Sequence, residues 1–163
     1  MIYVGRLDYN SEGLLLLTND GQLSRYLAHP QTGLERHYLV RVHGRASQPM
    51  LDSLQKGSTI EGVHYSGMKA VIHREGENSS WIKVILQEGK NREIRKIFQQ
   101  LNLPVSRIVR IQYGPYKLEN IPTGQLRAAE LKEEFKMYCN DINKIAEKSK
   151  ESEWNKDHHN NKR

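Results

Sequence analysis

Cysteine occurs once in this chain, at Cys139, which excludes an intramolecular disulfide framework and a zinc site built from several thiolates. Long apolar runs are missing too. The longest, Leu14-Leu15-Leu16-Leu17, is a short buried strand at most, far below the ~20 residues that cross a bilayer. The first residues lack a basic stretch followed by an apolar one, so no secretory signal is expected. No Gly-Lys-Ser/Thr sequence is present, which removes the phosphate loop of nucleotide hydrolases. His158-His159 has no third ligand near it in sequence, so no metal or other cofactor is expected. What remains is 163 residues, 37% hydrophobic and 27% charged, enough for one domain with a real core. The composition reads as soluble, cytoplasmic and without membrane contact.

The net charge of +6 is unevenly placed. Residues 1–88 hold nine basic and nine acidic side chains, and residues 128–163 hold eight of each. The excess lies in residues 89–127, where Lys90, Arg92, Arg95, Lys96, Arg107, Arg110, Lys117 and Arg127 face only Glu93 and Glu119. A local basic field of this kind attracts phosphate backbones, and an inert solvated surface would carry the same charges.

Hydrophobic periodicity gives the layout. Gly13–Thr18 reads as a strand ending in the turn Asn19-Asp20-Gly21, followed by a short helix Gln22–Ala28 stopped by Pro30. His37–His43 alternates, with Tyr38, Val40 and Val42 on one face. Gln48–Gln55 reads as a helix, and Gly67–His73 and Ser80–Leu86 as strands. Arg92–Leu101 is helical, since Ile94, Ile97, Phe98 and Leu101 recur at helical spacing, and Val105–Tyr113 is a strand closed by Gly114-Pro115. Residues 132–148 predict a charged helix and residues 149–163 a disordered polar tail. The sum is an α+β domain, a mostly antiparallel mixed sheet flanked by short helices.

Two clusters could carry chemistry. In Gly5-Arg6-Leu7-Asp8-Tyr9-Asn10-Ser11-Glu12-Gly13, Asp8 sits in a loop between apolar segments, where scaffolds display functional groups. An aspartate there serves equally as a turn residue, and spacing alone favours that reading. In Gly89-Lys90-Asn91-Arg92-Glu93-Ile94-Arg95-Lys96, the cations Arg92, Arg95 and Lys96 share one helix side opposite the apolar stripe. They could track phosphates, hold a carboxylate or merely be solvated.

The first cluster resembles the active-site motif of the RsuA/RluB-type ribosomal RNA pseudouridine synthases, Gly-Arg-Leu-Asp followed by a Gly-Leu-rich strand and an Asn-Asp-Gly turn. Three further segments match in order: Glu35-Arg36-His37-Tyr38-Leu39-Val40, the basic Gly89–Phe98 segment, and the closing strand from Val105 to Pro115. The match runs from about Val4 to Leu131. It implies a pseudouridine synthase-like catalytic domain over residues 1–131, most like the large-subunit branch, that isomerises a uridine of ribosomal RNA without a cofactor. It assigns Asp8 as nucleophile or base, Tyr38 as the ring that stacks on the flipped base, and Arg95, with Arg92 second, as the arginine that pairs with Asp8. Such an arginine would keep the carboxylate ionised and oriented. Arg6, Lys90, Arg92, Lys96, Arg107 and Arg110 become expected RNA contacts. The partner implied is ribosomal RNA or a precursor particle, met by a monomer. Family members carry an N-terminal S4-type RNA-binding domain and a strand before the motif. Here Met1-Ile2-Tyr3-Val4 leads directly into it, so both are expected to be missing. The competing expectation is a non-catalytic RNA-binding or ribosome-assembly module with an incomplete site.

Overall fold

The computed structural model describes residues 1–139. In chain order the elements are β1 (Ile2–Tyr3), β2 (Ser11–Gly13), β3 (Leu17–Thr18), α1 (Gly21–Ala28), β4 (Arg36–His43), α2 (Gln48–Asp52), β5 (Ser58–Ile60), β6 (Val63–Tyr65), β7 (Lys69–Glu75), β8 (Ser79–Leu86), α3 (Glu93–Gln100), β9 (Val105–Tyr113) and β10 (Tyr116–Lys117). Single 3-10 turns follow α1 and α2, and another spans Glu133–Tyr138. The main sheet runs β10-β9-β4-β8-β7, antiparallel throughout, and β2 joins β9 as the parallel pair. The expected α+β class and mostly antiparallel mixed sheet are what the fold shows.

Strict alternation along β4 and β8 decides which face is covered. Tyr38, Val40 and Val42 of β4, with Ile82, Val84 and Leu86 of β8, are buried. They pack against Leu51 and Leu54 from the α2 region and Ile94, Ile97 and Phe98 of α3. A β-branched or aromatic side chain on every second residue suits a pleated face, and each one buried there contributes about 1.5–3 kcal/mol. A second cluster joins Val4, Leu14, Leu23, Leu27, Tyr113, Phe135 and Cys139. It fixes α1 and the start of the chain against the end of β9.

Several expectations shift. The strand predicted over 13–18 is two short ones, because Gly13 closes β2 on β9 whereas Leu17 and Thr18 pair with β1. Asp20 caps α1 rather than simply turning: its Oδ1 accepts from the N–H groups of Gln22 and Leu23 at 2.9 and 3.0 Å. The hairpin β5–β6 was not expected. Its central residues Glu61 and Gly62 both take positive φ, 50° and 79°, as a two-residue hairpin turn requires. Of the predicted helix 132–148, only the start is described, as the turn Glu133–Tyr138 with Phe135 buried. The remainder and the predicted tail 149–163 lie outside the described residues.

Candidate active site

The Asp8 loop bridges β1 and β2 and is held at both ends. Inside it, the Ser11 N–H donates to the Asp8 carbonyl at 2.8 Å, closing a turn that leaves Tyr9 fully exposed. Beyond it, Gly13 runs so close to β9 that a Cβ would stand 2.2 Å from the Arg110 carbonyl oxygen. Its φ is +106°, so glycine is required twice over. The Leu14 N–H donates to the Arg110 carbonyl at 2.8 Å, and Arg110 Nε donates back to the Leu14 carbonyl at 2.8 Å. Arg110 Nη1 reaches the Arg6 carbonyl at 3.5 Å. One buried arginine thus ties the backbone on either side of Asp8 to the central sheet.

The loop faces a cleft of about 460 Å³, a volume in the range that encloses a small organic ligand. Its lining includes Arg6, Asp8, Arg36, Tyr38, Lys90, Arg92, Glu93, Arg95 and Arg110. Asp8 is half-buried, and Tyr38, on β4 opposite Arg110 and Val84, is 9% exposed. Arg6, Lys90 and Arg92 are exposed at the mouth. Of the residues predicted to act together, the fold brings together Asp8, Tyr38, Arg95, Arg6, Lys90, Arg92 and Arg110. Lys96 and Arg107 do not line the cleft. Arg107 sits elsewhere, as a bidentate partner of Glu12 at 2.8–3.1 Å. Arg110 lines the cleft from within rather than presenting itself at the surface, at 2% exposure.

Arg95 holds the loop through its backbone. Nη2 donates to the Asn10 carbonyl at 2.9 Å and Nη1 to the Val105 carbonyl at 3.4 Å. The expected ion pair with Asp8 is not formed among the described residues, but the two charges are close enough to interact. Burial first, and then the neighbouring Arg92 charge, lower the Arg95 pKa, and the Asp8 carboxylate opposes both. Arg92 takes a left-handed backbone, φ 53°, a strain of about 1–2 kcal/mol for a residue with a Cβ, at the mouth of the cleft.

Two groups in the cleft escaped the sequence reading. Arg36, 5% exposed, donates to the carbonyls of Gln87 at 2.7 Å and Ala28 at 3.3 Å and to the Tyr113 hydroxyl at 3.0 Å. Its place two residues before Tyr38 on an alternating strand was the available signal. Glu93 and Glu88 form a carboxyl pair below the mouth. Glu93 is 3% exposed and accepts from the Lys90 N–H at 3.1 Å. Burial, then the hydrogen bond and charge of Glu88, push its pKa up to about 8. Burial pushes Glu88 up as well, but the hydrogen bond from Glu93, the Ser66 N–H and Lys90 together bring it below the usual range. Glu93 is therefore the protonated member near neutral pH, and Glu88 the charged one.

The chain is similar to known proteins over most of its length. Residues 1–100 match the family described as RNA pseudouridylate synthase. An uncharacterised RNA pseudouridine synthase of Rickettsia bellii is 45% identical over 127 residues, 78% of this chain and 55% of that protein. A protein of Haemophilus influenzae named ribosomal large subunit pseudouridine synthase B is 42% identical over 125 residues, 76% of this chain and 35% of that protein. The fold superposes on a crystal structure of a pseudouridylate synthase with a TM-score of 0.66 at 25% identity, covering 72% of this chain and 50% of that one. The chain spans about half the length or less of the curated relatives it matches.

Proposed function

This chain belongs to the RNA pseudouridylate synthase family, and from that premise we propose that it converts a uridine of large-subunit ribosomal RNA to pseudouridine, with Asp8 as its catalytic carboxylate. The observation that carries the reading is the cleft itself. A half-buried carboxylate stands in it beside an aromatic ring and buried arginines, below a rim of exposed cations. The reaction is an isomerisation. The N1–C1′ bond breaks, the base turns, a C5–C1′ bond forms, and the proton leaving C5 is balanced by one gained at N1. It needs no oxidant, reductant or energy source.

The residues divide the work by position. Asp8 acts at C1′ or C6 of the target nucleotide, as nucleophile or base. The target leaves its stack to reach that depth, and the Tyr38 ring offers a flat partner on which the detached base is retained while it turns. Arg95 and Arg110 keep the Asp8 loop in place through carbonyls rather than through the carboxylate, so the reacting group stays free for substrate. Arg6, Lys90 and Arg92 take flanking phosphates. The protein acts as a monomer in the cytoplasm; no described helix is long and apolar enough to cross a membrane.

Release of tritium from C5-labelled uridine tests the reading. The 163-residue chain is incubated with fragments of large-subunit ribosomal RNA and, in parallel, with small-subunit RNA. Release confined to a large-subunit fragment supports it. Binding without release from any fragment would leave an RNA-binding module and remove the enzyme.

A further inference from the structure

The sheet has a second face that the cleft does not use. Tyr38, Ile108 and Arg110 line the cleft on the covered side. The alternate residues, Leu39 and Arg41 on β4 or Trp81 and Lys83 on β8, are half-buried or exposed. Neither hydrophobic cluster includes Leu39, Val71, Trp81 or Val109. Strand pairing sets cationic side chains in line across this open side. Arg74 of β7 lies opposite Trp81, Trp81 opposite Arg41, and Arg41 opposite Arg107 of β9. At about 4.8 Å between strands, that row spans roughly 14 Å. In the adjoining row Lys83 lies between Val71 and Leu39.

We propose that this face is a second RNA-contacting surface, on which Arg41, Arg74 and Lys83 take backbone phosphates and Trp81 stacks against an unpaired base. The proposal rests on the reading that the protein acts on RNA, and it places the contact on the side away from the cleft. Three observations select RNA as the occupant. The cations are in excess: Arg107 is already held by Glu12, and Arg41, Arg74 and Lys83 have no ion pair among the described residues. The surface is also open, since Arg41 and Arg74 are exposed and Trp81 and Lys83 half-buried, all outside both hydrophobic clusters. Finally, an aromatic ring set among unpaired cations on a sheet is the combination that holds single-stranded nucleic acid, phosphate on cation and base on ring. The guanidinium of Arg107, 5.9 Å from the Trp81 ring centroid, lies close enough to support that ring from one side.

The test uses the full chain. Trp81 and Trp154 are its two tryptophans, so a Trp154→Phe background makes Trp81 the sole indole reporter. A uridine-containing ribosomal RNA fragment is titrated at several salt concentrations, following both Trp81 fluorescence and anisotropy of labelled RNA. The proposal expects quenching of Trp81. It also expects at least a tenfold loss of affinity in Arg41→Glu/Arg74→Glu, with the slope of log affinity against log salt reduced by about 1.4 to 1.8 for two phosphates. Arg41→Ala/Arg74→Ala and Lys83→Ala give the same direction without introducing repulsion, which keeps the test open if the double reversal unfolds. Unquenched Trp81 with affinities within twofold of the parent in all three variants would overturn the proposal. So would variants that leave RNA affinity intact but abolish self-association, because the face would then meet a second copy. Tritium release from the same fragment is scored separately: quenching without release removes the catalytic reading and keeps this surface, and release without quenching does the reverse.

Discussion

Replacing Glu93 by Gln should flatten the pH dependence of this protein's stability. Glu93 is 3% exposed, its Oε2 accepts from the Lys90 N–H at 3.1 Å, and its Oε1 accepts from no donor among the described residues. An oxygen so placed suits a protonated carboxyl that itself donates to Glu88. The pKa accordingly rises from 4.5 to about 8 on folding, with burial as the largest cause. Because the folded state holds this proton more tightly than the unfolded state, the stabilisation is complete below about pH 4.5. It declines as pH climbs toward 8, where Glu93 ionises inside the fold. At about 1.4 kcal/mol per pH unit the ceiling is roughly 5 kcal/mol. Glu88, with its pKa lowered on folding, completes its own titration at lower pH and offsets none of this; partial solvent access at the cleft mouth does reduce it, so a net loss of roughly 1–3 kcal/mol is expected. For a domain of this size that is about 3–10 °C in Tm. Glutamine keeps an N–H for Glu88 and a carbonyl for Lys90 but cannot titrate. Thermal unfolding from pH 5 to 9 should therefore show Tm falling in the parent and nearly level in Glu93→Gln. Parallel curves for the two proteins would refute the shared-proton account of the cleft mouth.

Other substitutions probe the frame around Asp8. Gly13→Ala forces a Cβ into the Arg110 backbone at a positive φ, and should cost more than about 3 kcal/mol in urea unfolding and loosen the loop. Arg110→Met removes the bonds to Leu14 and Arg6. It should cost about 1–3 kcal/mol in the same assay and lower kcat more than it raises KM, since the loop rather than the RNA contact is released. Phe98→Ala, at a fully buried position of α3, should cost about 3–5 kcal/mol, read from the urea midpoint.

Much of this fold was legible because its elements announce themselves by period. The alternation of β4 and the helical spacing of Ile94, Ile97 and Phe98 survive almost unchanged. Asp8 was different: its residues alone suited a turn, and only the ordered motifs of the resemblance singled it out. The hairpin β5–β6 was missed because its strands have three residues each and its turn begins with Glu61, an uncommon residue at positive φ. Arg110 was expected among the RNA contacts, and the fold gives it a further part: it alternates with Ile108 toward the covered face, where a buried cation is tolerable only with bonds such as Leu14 provides. Charge counting along the chain hid the open face altogether. Arg41, Arg74 and Lys83 belong to a stretch that balances in sequence, and only strand pairing brings them onto one side of the sheet.

Asp8→Asn decides whether the Asp8 carboxylate performs the chemistry. The amide keeps the shape of the half-buried side chain but removes its charge and its nucleophile. Parent and variant are compared on the same large-subunit RNA fragment, by tritium release from C5 in single turnover with RNA affinity measured alongside. Release should fall by at least a thousandfold in Asp8→Asn, with affinity and Tm close to the parent's. Release within tenfold of the parent at equal affinity would contradict it.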